Sequence, residues 1–309
     1  MRSLQSRSWP AVPISPAGRR WLGAGLALVG FALLAQTLLA HGIQGDGGGG
    51  GIDAIAYWTA AQNVVHGQPL YGLESGDFAA YSYPPVLAQV LAPTALLPMP
   101  AFVWLWRALE LLGLRVAVGS WKRTGWALLV FPPILAELDA GNVHLIMAGV
   151  CALAMQGRAL PIAPAALFKF SSVPLAPLGW KLDRRGLIVG AAATAAAVGV
   201  SYLLNPQAWS DFLGFLRTTT FPHGWYNLTE AIPLPVRLVI VAALGLATTR
   251  WIRLAPLAVL LAYPVVWFHG LSTLAALVTP LPRRAEAADD PATAVERDDR
   301  DRSPQPQLA

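Results

Sequence analysis

An apolar run from Trp21 to Ala40 is followed by nine more, at about 84–98, 101–119, 125–139, 142–157, 160–179, 186–204, 232–249, 254–266 and 268–281. Little lies between them with which to face water. Only 13% of the 309 residues are charged and 55% are hydrophobic, whereas a soluble domain carries about 25% charge. A water-exposed surface needs charge, so the pattern implies an all-α polytopic membrane protein of about 8–11 transmembrane helices. Several runs are short for a full span, and tilt, proline breaks or burial inside a bundle accommodate such lengths. The first run is long enough to cross, about 20 residues at ~1.5 Å each against a core of ~30 Å. It is longer than a signal-peptide core and reads as a retained first helix.

The basic residues stand at the ends of these runs: Arg19 and Arg20, Lys122 and Arg123, Lys181 with Arg184 and Arg185, Arg250 with Arg253, Arg283 and Arg284. That is membrane-flanking charge, so a pI near 9.7 does not point to nucleic acid. The positive-inside rule sends residues 1–20 and the 181–185, 250–253 and 283–284 clusters to the cytoplasm, and the polar stretches 41–83 and 205–231 outside. Simple alternation leaves Lys122 and Arg123 outside, a conflict the charges alone do not remove. Residues 1–20 and 283–309 have the composition of disordered ends around a membrane domain at 21–282. Cys151, the single cysteine, permits no disulfide within the chain and reads as a small core residue.

The stretch 41–83 is the polar feature of the N-terminal half. Its glycine run, Gly47–Gly51, is followed by Ile52-Asp53 rather than Gly-Lys-Ser/Thr, so it reads as a linker and not a phosphate loop. From Asp53 to Gly67 the spacing predicts an amphipathic helix on the membrane surface, with Ile55, Trp58, Ala61, Gln62 and Val65 near one another. Asp53 is the first candidate for chemistry. A carboxylate at this position equally serves as a helix cap. Lys169, inside an apolar run, costs about 2.5–3.5 kcal/mol on insertion scales. It either snorkels to the interface or meets an anion, and Arg107 and Arg115 are weaker candidates of the same kind. Glu137 and Asp139, near Gly141-Asn142, either hold a divalent cation or cap a helix junction. His66, His144 and His223 form no metal-ligand spacing, and no metal site is assigned. No cofactor is required by the sequence, a divalent cation remaining possible. The aromatics Tyr57, Trp58, Tyr71, Tyr81 and Tyr83 suit sugar rings and membrane interfaces alike.

Taken in order, these segments resemble a known family. Asp53-x3-Tyr57-x2-Ala60-Ala61-x5-Gly67-x2-Leu70-Tyr71 and then Tyr81-Ser-Tyr83-Pro84-Pro85 are similar to the first outer loop of glycosyltransferase family 87, of the GT-C superfamily. Leu96-Leu97-Pro98, Leu105-Trp106, Gly141-Asn142, Lys169-x4-Pro174 with Arg184-Arg185, Asn227-Leu-Thr229 with Arg237, and Tyr263-Pro264-x2-Trp267-x-His269 continue the series. The resemblance covers roughly residues 20–282.

The resemblance implies a GT-C-like bundle in a bacterial plasma membrane with its site facing outward. It implies transfer of a sugar, commonly mannose, from a polyprenyl-phosphate carrier to a glycan or glycolipid acceptor, with inversion. Asp53 would be the base, Lys169 the partner of the leaving phosphate, and Tyr57, Tyr71, Tyr83 and His269 contacts for sugar or acceptor. A membrane transporter, which also uses broken helices and buried charge, and a non-catalytic member of the same family are the alternatives, although no internal repeat is visible.

Overall fold

The computed structural model describes residues 50–71, 81–218 and 232–282, with isolated positions 15, 18, 21, 23–25 and 28. The expected first helix (apart from its helical positions 21, 23–25 and 28), the ends 1–20 (apart from positions 15 and 18) and 283–309, and Asn227-Leu-Thr229 therefore lie outside the described residues. Those residues are helical, and no strand occurs among them.

Proline and glycine decide where the helices stop. Helix α1 is Ile52–His66. Helix α2, Pro85–Leu91, runs into a 3₁₀ turn at Ala92–Leu96. Helix α3, Met99–Val118, starts with Pro100 in its first turn, where the missing N–H costs nothing. Ser120 caps α4, Trp121–Val130, accepting from the Arg123 amide at 3.2 Å. Phe131-Pro132 then ends the expected 125–139 run early and opens α5, Pro132–Ala140. Helix α6 is His144–Met155, bent 119° from α5 across Gly141-Asn142-Val143.

The expected run 160–179 is not one helix. Pro161, Pro164, Pro174 and Pro177 divide it into α7, Ile162–Ala165, a 3₁₀ segment Phe170–Leu175, and α8, Ala176–Leu182. Lys169 stands in extended backbone at the break. Helix α9, Arg184–Leu204, is capped by Asp183, which accepts from the Gly186 and Ala159 amides. Helices α10, Pro206–Thr218, α11, Leu234–Ala247, and α12, Ala255–Leu261, follow. A second long 3₁₀ helix, Phe268–Val278, carries His269. It is tied down behind by Arg253, which donates to the Leu277 and Thr279 carbonyls at 2.6 and 2.8 Å.

One of these helices, α9, is long and apolar enough to cross a membrane, or two elements if the bent α5–α6 pair is counted as one span. The expected eight to eleven spans are therefore not reached by length and composition among the described residues. Helix α3 has the length but carries Arg107, Glu110 and Arg115, and α11 and the 3₁₀ helix 268–278 are short.

The core is built on the α3–α6 pair, whose backbones touch at Gly113 and Gly149. Small residues permit that approach. A β-carbon on Gly113 would lie 2.5 Å from the Leu145 carbonyl oxygen, and one on Gly149 3.0 Å from the Gly113 backbone. Gly113→Ala is expected to cost about 1–3 kcal/mol, as overpacking does. A thermal-unfolding midpoint equal to that of the wild type would contradict this packing.

Helix α1 packs on α2, α3 and the 92–96 turn. Its buried face is Ala54, Ala56, Tyr57, Ala60 and Ala61, while Ile52 and Val65 are exposed. This corrects the expected Ile55–Val65 stripe. Alanines flanking one large tyrosine let the helix sink into the bundle rather than float on it.

Candidate active site

The site gathers at the N-terminal end of α1 and the α5–α6 bend. Gly51, not Asp53, is the N-cap of α1, and no side chain caps the helix. The Gly51 amide instead donates to the Asp139 carbonyl, tying α1 to the end of α5. Asp53 Oδ2 accepts from Asn142 Nδ2 at 2.8 Å. Asp53 is thus aimed across the fold, away from the cap its sequence position suggested.

Asn142 is fixed on every side. Its Oδ1 accepts from the Val143 amide and from Lys169 Nζ, each at 2.8 Å, and its carbonyl accepts from Trp106 Nε1 at 3.1 Å. Only an oxygen accepts two donors at once, so the amide nitrogen must face Asp53. Gly141 makes the bend possible. Its φ is +71°, and a β-carbon there would sit 2.8 Å from Ala54 Cβ.

Lys169 Nζ also lies 3.0 Å from His144 Nε2. The ammonium has no acceptor capacity, so Nε2 accepts and the ring proton is on Nδ1. That nitrogen faces Glu137 Oε2 at 2.8 Å, and Glu137 Oε1 accepts from the His144 amide at 2.6 Å. Glu137 and His144 are fully buried. The result is one hydrogen-bonded row: Asp53, Asn142, Lys169, His144, Glu137. Two of the three Lys169 N–H groups are taken by Asn142 and His144. The amine points inward, over the Tyr263 ring at 5.2 Å, and does not snorkel outward.

Burial raises the Asp53 carboxyl to about 6, with the Glu137 charge in the same direction; Lys169 and the Asn142 bond offset part of it. Such a group is ionised at neutral pH yet close enough to it to take a proton.

Of the other expected site residues, His269 reaches the cluster. Its ring is 5.2 Å from that of His144 and stacks on Trp267 at 6.3 Å, and its Nε2 is buried without a hydrogen-bond partner among the described residues. The tyrosines are placed differently from one another. Tyr57 is fully buried, packs on Trp106 at 4.7 Å and donates to Tyr83 Oη at 2.7 Å. Tyr83, also buried, takes a bond at its carbonyl from Tyr71 Oη at 2.7 Å. Half-buried Tyr71 packs on Phe212 and Phe215 at 5.6 and 5.5 Å, linking the first loop to α10. Arg107 donates to the Leu138 carbonyl at 3.0 Å, and Arg115 lies over Trp121 at 5.8 Å.

Among the described residues, the group able to hold a cation does not include Asp139. Instead, ligand atoms of Glu137, His144 and His269 lie within 4.8 Å of one another. A cation there would have to break the Glu137–His144 bond and sit beside the Lys169 ammonium. The chemistry of the set therefore favours a hydrogen-bonded cluster. The sequence offered His144 only in a test of metal-ligand spacing and Asn142 only as part of a motif. The available signal was three polar residues, Glu137, Asn142 and His144, around one glycine break in apolar surroundings, where such groups must find partners.

A family model, glycosyltransferase family 87, matches residues 81–295, more than half of the chain. The chain belongs to glycosyltransferase family 87. It is accordingly a glycosyltransferase, and the transporter alternative is set aside. The matched residues of this family 87 enzyme include Glu137, Asn142, His144, Lys169 and His269. Helix α1 with Asp53 precedes them, so the place of Asp53 in the site rests on its geometry. Neither a curated protein nor a solved structure matches the chain.

Proposed function

We propose that this glycosyltransferase moves a sugar, mannose being the first candidate, from a polyprenyl-phosphate carrier to a glycan or glycolipid acceptor. The transfer takes place at the outer face of the membrane. The observation that carries the reading is the Asp53 carboxylate turned away from its helix cap to share Asn142 with the Lys169 ammonium. Asp53 Oδ1 carries no bond among the described residues and is the atom for the proton. It takes the acceptor hydroxyl proton as that oxygen attacks the anomeric carbon. The bond from that carbon to the carrier phosphate breaks, its electron pair stays on the phosphate oxygen, and the anomeric centre inverts. The third N–H of Lys169 meets the charge on the departing phosphate.

The exterior supports a membrane setting. Helix α9 leaves Val200, Leu203 and Leu204 exposed, and α11 leaves Leu238, Val239 and Leu246 exposed. A surface of this kind is costly in water and is suited to lipid. Lys181, Arg184, Arg185, Arg250 and Arg253 fit the cytoplasmic end.

Radiolabelled polyprenyl-phosphate-mannose supplied to membranes with and without the protein tests the reading. A labelled product only where the protein is present is expected, and equal labelling in both would end the proposal. Lys169→Met is expected to raise the apparent KM for the donor about tenfold or more, from loss of a charged hydrogen bond. Unchanged donor affinity would remove Lys169 from the phosphate site.

A further inference from the structure

We infer that Asn142 is a positioning residue, a bridge that holds the base Asp53 and the cation Lys169 in one fixed relation and leaves Asp53 Oδ1 as the proton acceptor. The inference rests on the reading of Asp53 as the base. Three observations support it. Among the described residues, Asn142 is the one side chain bonded to both groups, at 2.8 Å each. Its orientation is forced, because the Val143 amide and Lys169 both donate to Oδ1. Its backbone is pinned from α3 by Trp106 and set by the Gly141 bend. A side chain so constrained orients its partners rather than following them.

The bridge has a chemical consequence. Donation to Oδ2 stabilises the ionised carboxylate and keeps it from turning to form a direct ion pair with Lys169, which would quench both. The other charged groups acting on Asp53 are Glu137 from α5 and Lys169 from the segment after α7, while the buried Tyr57 of α1 and Tyr83 ahead of α2 stay neutral. Glu110 from α3 acts on it as well, and the Arg107 guanidinium reaches the Gly50 turn beside α1. Of these, Lys169 alone is bonded to Asn142 among the described residues, so a shift in the pH profile reports on the bridge and its two partners.

The decisive variant is Asn142→Asp in the full-length protein in membranes. It has the same shape and keeps acceptors for Val143 and Lys169, so it tests the contact with Asp53, and the uncharged Asn142→Leu tests whether the donor itself matters. The positioning role predicts a like charge against Asp53 in place of a donor. The acidic limb of the rate profile should then move up by about one pH unit or more, with the thermal midpoint retained. Asn142→Leu should move the limb in the same direction and raise the donor KM as Lys169 loses an anchor.

An unmoved limb in folded Asn142→Asp overturns the inference. Should that variant not fold, an unmoved limb in Asn142→Leu does the same. Asp53→Asn separates the two levels. If it keeps full activity, the base reading falls and this inference with it. If it is inactive while the limb of Asn142→Asp stays in place, this inference alone fails.

Discussion

Replacing Asp53 with asparagine is expected to slow sugar transfer by about 10²–10⁴-fold, the usual contribution of a positioned base, with the protein still folded. Asparagine keeps the size of the side chain and can still bond Asn142, but it cannot take a proton. Burial is the largest influence on this carboxyl and holds it near 6. Its folded-state value is therefore raised above the unfolded one. The stabilisation from proton uptake is fully present below the ordinary carboxylate range and is lost as pH rises through about 6. Above that pH the ionised carboxylate is a cost to the fold, and Asp53→Asn should be at least as stable as the wild type. Activity runs the opposite way: the base works only when ionised, so the rate should climb through about pH 6 and then level. Transfer rates for both proteins across the pH range, with thermal midpoints alongside, check this. Full activity in Asp53→Asn would remove the assignment.

His144→Leu is expected to lower stability by about 3 kcal/mol, the scale for leaving a buried charged group without its hydrogen-bond partner. For a chain of this size that corresponds to a fall of roughly 6–12 °C in the unfolding midpoint. The reason lies on both sides of the ring. Glu137 is fully buried, and its Oε2 faces His144 Nδ1 at 2.8 Å. Lys169 Nζ donates a hydrogen bond to Nε2 at 3.0 Å. Leucine leaves both without that partner, and Glu137 sits where water does not reach. A double-mutant cycle with Glu137→Gln identifies the cause: the loss should be smaller in that background, because the carboxylate charge is gone. A midpoint within about 2 °C of the wild type would mean that the pair carries no such weight.

The position of Asp53 shows how far the sequence could be read. The residue was legible as a candidate, since a lone carboxylate opening a helix after a glycine run stands out in an apolar chain. What it does there was not, because a helix cap and a catalytic base have the same local pattern. The cap reading was settled by Gly51 taking the N-cap and Asn142, 89 residues away in the chain, taking the carboxylate. Lys169 was likewise visible as a costly charge, while its direction was not. The proline-broken segment 160–179 turned its amine inward, where an unbroken helix would have let it snorkel. His144 and Glu137 were seen separately and paired only by the 119° bend at Gly141.

By itself the sequence determined the helical, charge-poor character of the chain, the rough limits of its helices and the family it belongs to. Those follow from local quantities: hydropathy, proline and glycine positions, and the order of motifs along the chain. Tertiary structure alone decided which polar residues meet. Hydrogen bonds act over about 3 Å, and partners 25 to 89 residues apart, such as Asp53, Asn142, Lys169 and His144, come within that distance only when the helices pack.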